Sequence, residues 1–319
     1  MRAVVVGAGS WGTAFSRLLA DRGHDVALAC RDGAQARTIR ESGRNPRYLS
    51  EVDLSGVWPT TLEEAPYDAA HVVVLAVPSR AFAQVVRSLP QDGTPVLSLT
   101  KGLDPETGER LSRVVRGRPV AVLSGPNMAE EVAAGLPTAA VIASEDAALA
   151  ERLQREINSL TLRVYVNTDV TGVELCAAAK NVIALAAGGV DGLSLGDNAK
   201  AALITRGLAE MARLGAAAGA QPETFAGLAG MGDLIVTCWH ESGRNRRAGE
   251  LIARGRSPDE AVAEIGQTVE GLTTAPALRR LARRLEIELP ITDGVCAVLE
   301  GQDLTDLIAE LMGRRPTEE

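Results

Sequence analysis

RAVVVGAGSWG, residues 2–12, decides the fold. Ala3–Val6 is a short apolar run that reads as a buried strand, and it leads straight into Gly7-Ala8-Gly9-Ser10-Trp11-Gly12. A helical pattern follows through Leu18, Leu19 and Ala20 and ends near Gly23. Between a strand and a helix, glycines at this spacing let the backbone turn tightly, approach a pyrophosphate and pack the helix against the sheet. The helix start then turns free N–H groups and the positive end of its dipole toward phosphate. Gly7-x-Gly9-x-x-Gly12 gains its meaning from this context, which predicts a dinucleotide-binding unit; a tight turn without a ligand is the alternative.

Working outward, the same alternation continues. Strands are expected at Asp25–Cys30, His71–Val77, Pro95–Leu99, Val120–Leu123, Ala139–Ala143 and Arg163–Asn167. Helical patterns lie between them at Ala34–Ser42, Ser79–Ser88 and Ala147–Asn158. Alternating strands and helices indicate an α/β fold with a mostly parallel, doubly wound sheet of Rossmann type. Past Thr168 the β-branched runs nearly vanish, and Ala/Leu/Glu/Arg segments continue, broken by glycine loops at Gly188–Asp197 and Ala226–Asp233. The expected organisation is a dinucleotide-binding domain over 1–168 and an all-α C-terminal domain over 169–319, with a frayed polar tail at Arg314–Glu319.

Bulk properties narrow the function. The chain has 319 residues, 46% of them hydrophobic, enough for two domains with real cores. Its net charge of −8 provides no broad basic face for nucleic acid or anionic lipid. A signal peptide needs a longer apolar core than the N-terminus carries, and the apolar stretch at Val173–Val190 is interrupted by Glu174, Lys180 and Asn181. A soluble cytoplasmic protein without membrane insertion is expected. Four scattered cysteines and three dispersed histidines suggest neither a disulfide framework nor a metal site.

Of 33 basic residues only Lys101, Lys180 and Lys200 are lysine. A chain so biased to arginine retains lysine where a compact ammonium does what arginine cannot, or by chance at a structural position. Lys101 follows a strand in LSLTKGL, at the carboxyl edge where open α/β sheets bind ligands, or else caps that strand at the surface. Lys180-Asn181 sits inside the apolar ELCAAAKNVIALAAGG. A charge there is costly unless it faces a cavity with partners, and desolvation lowers a lysine pKa toward the range useful for acid–base work; a snorkelling surface lysine is the alternative. Gly125-Pro126-Asn127 could present backbone N–H groups or be an ordinary turn. Asp233 closes GLAGMGDL and could orient a lysine or a substrate hydroxyl. Arg244-Asn245-Arg246-Arg247 offers planar forks suited to phosphate, with Arg246 and Arg247 read as a solvated helix start. At the second strand's end, where NAD sites place a carboxylate, stands Arg31. It favours a 2′-phosphate and hence NADPH, while the neighbouring Asp32 keeps NADH as an alternative.

In one order along nearly the whole chain, the motifs resemble those of bacterial NAD(P)-dependent glycerol-3-phosphate dehydrogenases. The resemblance rests on GAGSWGTA, NPRYL (45–49), LTKGL (99–103), SGPNMAEE (124–131), AAAKNVIALAAGGVDGLSLGDNAKAALITRGLAEM, GLAGMGDLIVTC, GRNRRAGE and VEG (269–271). It implies reversible reduction of dihydroxyacetone phosphate to sn-glycerol 3-phosphate, in the service of phospholipid synthesis. Lys180 is then the acid–base that protonates the C2 oxygen. Lys101, Gly125, Asn127, Asp233, Gly243, Arg244 and Asn245 line the substrate, with Arg244 and Asn245 on its phosphate. Ser10, Trp11, Arg31, Tyr48, Lys101, Ala129, Arg244, Thr268 and Glu270 touch the dinucleotide, beside Gly7, Gly9 and Gly12. Lys200 lies outside those contacts. A homodimer is the family expectation, and no metal is called for. Gly243 and Asn127 stand where many relatives carry serine, which removes or changes one polar contact at each. The competing readings are a related two-domain dehydrogenase for another hydroxy or keto acid, and a non-catalytic NADPH-binding protein.

Overall fold

The structure, a computed structural model, describes residues 1–307. The polar tail expected at Arg314–Glu319 lies outside the described residues.

Eight strands form one sheet: β1 (Arg2–Val6), β2 (Asp25–Cys30), β3 (Val57–Thr61), β4 (Val72–Leu75), β5 (Val96–Ser98), β6 (Val120–Ser124), β7 (Thr138–Ser144) and β8 (Leu162–Asn167). Their order is β3-β2-β1-β4-β5-β6-β7-β8, parallel throughout except where β6 meets β7. In register, Val5 of β1 lies between Leu28 and Val74. The first half also carries α1 (Ser10–Asp21), α2 (Gly33–Ser42), α3 (Ser79–Ser88), α4 (Leu111–Val114), α5 (Ala129–Ala133) and α6 (Ala147–Ile157). Alternate residues of β1 and β2 enter opposite cores. Ala3, Val5, Val26 and Leu28 pack with Phe15, Leu19 and Ile39, whereas Val4, Val6, Ala27 and Ala29 pack with Phe82 and Leu89. A strand covered on both faces reads as a continuous apolar run, which is why RAVVV and DVALAC were legible.

Strand β3 was not expected. Its sequence, VWPTT, contains Pro59, which cannot donate to a ladder, and Trp58 is exposed. Both are tolerated because β3 is an edge strand.

Beyond β8 the described chain is helical: α7 (Val170–Gly192), α8 (Asp197–Ala217), α9 (Pro222–Ala226), α10 (Asp233–Trp239), α11 (Arg244–Ala253), α12 (Pro258–Ile265), α13 (Glu270–Arg284) and α14 (Pro290–Leu299). Helix α7 is long and apolar enough to cross a bilayer, yet it is buried among its neighbours as the core of the helical half. The glycine loop expected from Gly188 begins later, after Gly192. Gly188 and Gly192 are helical because α11 crosses α7 there at backbone distance: a Cβ on Gly188 would lie 1.8 Å from the Arg246 carbonyl oxygen, and one on Gly249 1.9 Å from that of Leu185. The second expected loop, Ala226–Asp233, is mostly a π-helical turn, Leu228–Gly232, that leads into α10. Such turns break the helical repeat and often mark functional positions.

Buried carboxylates tie the halves together. Glu174 of α7 accepts from the Ser112 N–H (2.8 Å), the Ser112 hydroxyl (2.5 Å) and Arg110 (3.0 Å). Glu270 of α13 accepts from the N–H and hydroxyl of Ser79 at the start of α3.

Candidate active site

Side chains from the carboxyl ends of β5 and β6, the latter Ser124 at 3.3 Å, and from mid-α7 converge on Asp233. The residue opens α10 directly after the π turn and is 2% exposed. Its Oδ2 accepts from Lys101 Nζ at 2.9 Å, and its Oδ1 pairs with Lys180 Nζ. Lys101 extends from the carboxyl end of β5 and also donates to Asn127 Oδ1 (3.1 Å) and the Gly125 carbonyl (3.3 Å). Lys180, at mid-α7 and 4% exposed, donates to Thr237 Oγ1 at 3.0 Å. The Thr237 hydroxyl in turn donates to the Asp233 carbonyl, one helical turn back. Lys101, Gly125, Asn127, Lys180 and Asp233, which span the sequence from β5 to α10, are thus joined in one network.

The electrostatics follow from burial. Desolvation pushes the Lys180 ammonium down to about 7, with the Asp233 charge pulling upward and Lys101 adding to the fall. For Asp233 burial favours the neutral acid, but the two lysines outweigh it and hold the carboxyl below the usual carboxylate range. An ammonium has three protons. Asp233 and Thr237 take two from Lys180, which leaves one donor for a substrate oxygen.

The start of α11 has the groups to receive an anion. Gly243 caps it without a side-chain bond, so N–H groups of the first turn keep their donor capacity. Arg244 is exposed there and donates to the Thr268 carbonyl at 3.2 Å. Asn245 is buried: its Nδ2 donates to Asn181 Oδ1 (2.9 Å), and its Oδ1 accepts from the Gly271 N–H (2.8 Å). Asn245 therefore locks α7, α11 and α13 together, and one Nδ2 proton is left over. Glycine at 243 has a local cause, since a Cβ would sit 3.0 Å from the His240 carbonyl oxygen and 3.1 Å from that of Thr237.

Arg246 corrects an expectation. It is not a solvated helix start but a buried side chain paired with Asp191 and Glu250, donating to the His240 and Glu241 carbonyls. Asp191 also holds Lys200 at 2.8 Å, and the Lys200 ammonium lies 5.0 Å above the Trp239 ring. This cluster fixes the start of α8, the end of α7 and the loop before α11. Arg247 is exposed and faces Glu264, as a solvated residue would.

The glycine-rich turn fits a dinucleotide. A Cβ on Gly7 would lie 2.5 Å from the Ala76 carbonyl oxygen, and one on Gly12 1.9 Å from that of Gly7, so both glycines are demanded by packing. Gly9 differs. Its φ of −81° and ψ of −176° suit any residue, and a Cβ there would meet nothing within 4 Å. Neither conformation nor packing among the described residues explains that glycine, and the open space over it leaves room for a phosphate. Ser10 opens α1 at the same place, and the Trp11 indole N–H is buried without a protein partner. Trp11 and Ala129, the first residue of α5, rest on the same core cluster. Asp32 spends one oxygen as the cap of α2, accepting from the Ala34 N–H at 2.8 Å, and leaves the neighbouring Arg31 side chain exposed. Tyr48 sits in the loop after α2 under the Arg47 guanidinium. No hydrogen bond links the Arg31 or Tyr48 side chains to the other expected residues among the described residues. Glu270 has both oxygens on Ser79, and burial raises its carboxyl.

Sequence reasoning missed Thr237, Ser79 and the pair Gln35–Asn45, whose amides both donate to the Ala8 carbonyl. Thr237 could have been found from its spacing, one helical turn after Asp233; the others become visible only in three dimensions.

Comparison with known proteins bears on this site. Residues 2–150 match the family described as NAD-dependent glycerol-3-phosphate dehydrogenase N-terminus, and residues 169–309 match its C-terminus. The chain is 48% identical to glycerol-3-phosphate dehydrogenase [NAD(P)+] of Moorella thermoacetica, over 99% of this chain and 96% of that one. The protein of the same name from Nocardia farcinica is 44% identical, over 98% of both chains. Among solved structures, glycerol-3-phosphate dehydrogenase from Coxiella burnetii superposes with a TM-score of 0.94 at 39% identity, covering 98% of this chain and 99% of that one. A ketopantoate reductase from Ralstonia eutropha, at 18% identity and a TM-score of 0.60, shares the fold alone.

Proposed function

The chain belongs to the NAD-dependent glycerol-3-phosphate dehydrogenases, and from that membership we infer that it catalyses the reversible reduction of dihydroxyacetone phosphate to sn-glycerol 3-phosphate. It is an oxidoreductase that uses NADPH, with NADH as the alternative. The observation that carries the mechanism is the buried Lys101–Asp233–Lys180 array, in which one ammonium proton of Lys180 is uncommitted.

The bound dinucleotide supplies the hydride that C2 of the ketone receives. Residues Gly7, Gly9, Ser10, Trp11 and Gly12 would hold its phosphates, with Arg31, Tyr48, Ala129, Thr268 and Glu270 along its length. Lys180 gives its free proton to the C2 oxygen as negative charge develops there, and takes the proton back in the reverse direction. Asp233 raises the proton affinity of that ammonium against the effect of burial, and Thr237 fixes its direction. Lys101, Asn127 and the backbone at Gly125 orient the substrate. The Asn127 Nδ2 group is buried without a protein partner, which leaves it a donor for a substrate oxygen. Arg244, with the N–H groups at the start of α11 and the spare Nδ2 proton of Asn245, receives the phosphate. Binding energy from that remote group serves orientation at C2. At Gly243 only the backbone is available for this role.

The change from sheet to helices after β8 supports a division at 168/169, with the first unit for the dinucleotide and the second for the substrate. The family resemblance supports a cytoplasmic homodimer that supplies glycerol 3-phosphate to phospholipid synthesis. Initial rates of NADPH and NADH consumption test the reaction itself. Dihydroxyacetone phosphate should be reduced and ketopantoate or simple 2-oxo acids should not. Equal rates with an unphosphorylated ketone, or cofactor binding without oxidation, would contradict the reading.

A further inference from the structure

The carbonyl of Ala8, inside the glycine-rich turn, is held from behind by two side-chain amides. Gln35 Nε2 of α2 donates to it at 3.0 Å, and Asn45 Nδ2, fully buried in the loop after α2, donates at 3.0 Å. The amides are joined to each other, with Gln35 Nε2 lying 3.3 Å from Asn45 Oδ1, and Asn45 Nδ2 also donates to Thr13 Oγ1 of α1 at 2.8 Å. The Asn45 backbone carbonyl accepts from the Tyr48 N–H at 3.1 Å.

The peptide group is planar and trans, so its C=O and N–H point in opposite directions. Fixing the Ala8 carbonyl toward the two amides therefore fixes the Gly9 N–H away from them, toward the side of the turn where a Cβ on Gly9 would meet nothing. A free carbonyl could rotate toward a phosphate and repel it. Two donors on one carbonyl hold it back.

We propose that Gln35 and Asn45 are positioning residues for the cofactor's pyrophosphate, which they serve by orienting the Ala8–Gly9 peptide. The proposal rests on the dinucleotide-dependent reading above. The pyrophosphate is common to NADPH and NADH, so loss of the strap weakens both by the same factor. Loss of a contact to the 2′-phosphate weakens NADPH alone.

The test is direct titration of NADPH and NADH into the full chain, without substrate, for wild type, Gln35→Ala, Gln35→Met and Arg31→Ala. Gln35 is only partly buried on a helix, and alanine keeps the helix. Both Gln35 variants should raise Kd for each dinucleotide about fivefold, the worth of one net hydrogen bond, with kcat at saturating cofactor and KM for dihydroxyacetone phosphate unchanged. Arg31→Ala should raise Kd for NADPH only. Unchanged Kd values in both Gln35 variants, or weakening confined to NADPH, would overturn the proposal; so would a fall in Tm with affinity intact. Wild-type protein that bound neither dinucleotide would remove the functional reading and this proposal with it.

Discussion

At the scale of single residues, proton transfer in the proposed reaction depends on Lys180 and the groups that set its charge. Its pKa is held down to about 7 mainly by burial, with Asp233 opposing. The acid role needs the protonated form, so kcat for ketone reduction should fall as pH rises through about 7, and kcat for glycerol 3-phosphate oxidation should rise over the same interval. Asp233→Asn removes the upward pull. Its reduction profile should therefore break at lower pH than that of wild type, which pH–rate curves for both proteins check; an unchanged break would contradict the assignment. Lys180 was legible in the sequence because a charge amid alanine and leucine needs a reason, and because the chain keeps so few lysines. Arg246 was misread for the converse reason. Its neighbours in sequence are polar, and the partner that buries it, Asp191, lies on another helix.

At the scale of elements, the crossing of α7 and α11 fixes the place of Arg244 and Asn245, where the proposed function puts the phosphate. The two helices approach through Gly188, Gly192 and Gly249, with no room for a side chain between their backbones. Gly249→Ala would place a Cβ 1.9 Å from the Leu185 carbonyl oxygen and must push α11 away. The expected cost is about 3 kcal/mol of stability, read as a lower urea midpoint, together with a raised KM for dihydroxyacetone phosphate as Arg244 shifts. An unaltered KM would separate α11 from phosphate binding. Elements whose periodicity is strong were readable: β1, β2 and α3 lie where their patterns put them. Those whose form depends on a neighbour were not. Edge strand β3 tolerates Pro59 because nothing among the described residues pairs on its far side, and the end of α7 keeps its glycines in a helix because α11 lies against them.

At the scale of the whole molecule, the sheet half presents its carboxyl edge and the helical half presents the buried lysine. Glu174 and Glu270, each anchored on a serine of the other half, hold the two faces together. In the proposed reaction the work divides along the same line, with the hydride carried on the sheet side and the proton on α7. That division is tested most directly by single-turnover stopped-flow measurement of NADPH oxidation by dihydroxyacetone phosphate in wild type and Lys180→Ala, with NADPH affinity titrated in parallel. The account predicts that the variant binds NADPH as wild type does and loses hydride transfer by about a thousandfold or more. Transfer at the wild-type rate in a variant that binds NADPH normally would contradict it.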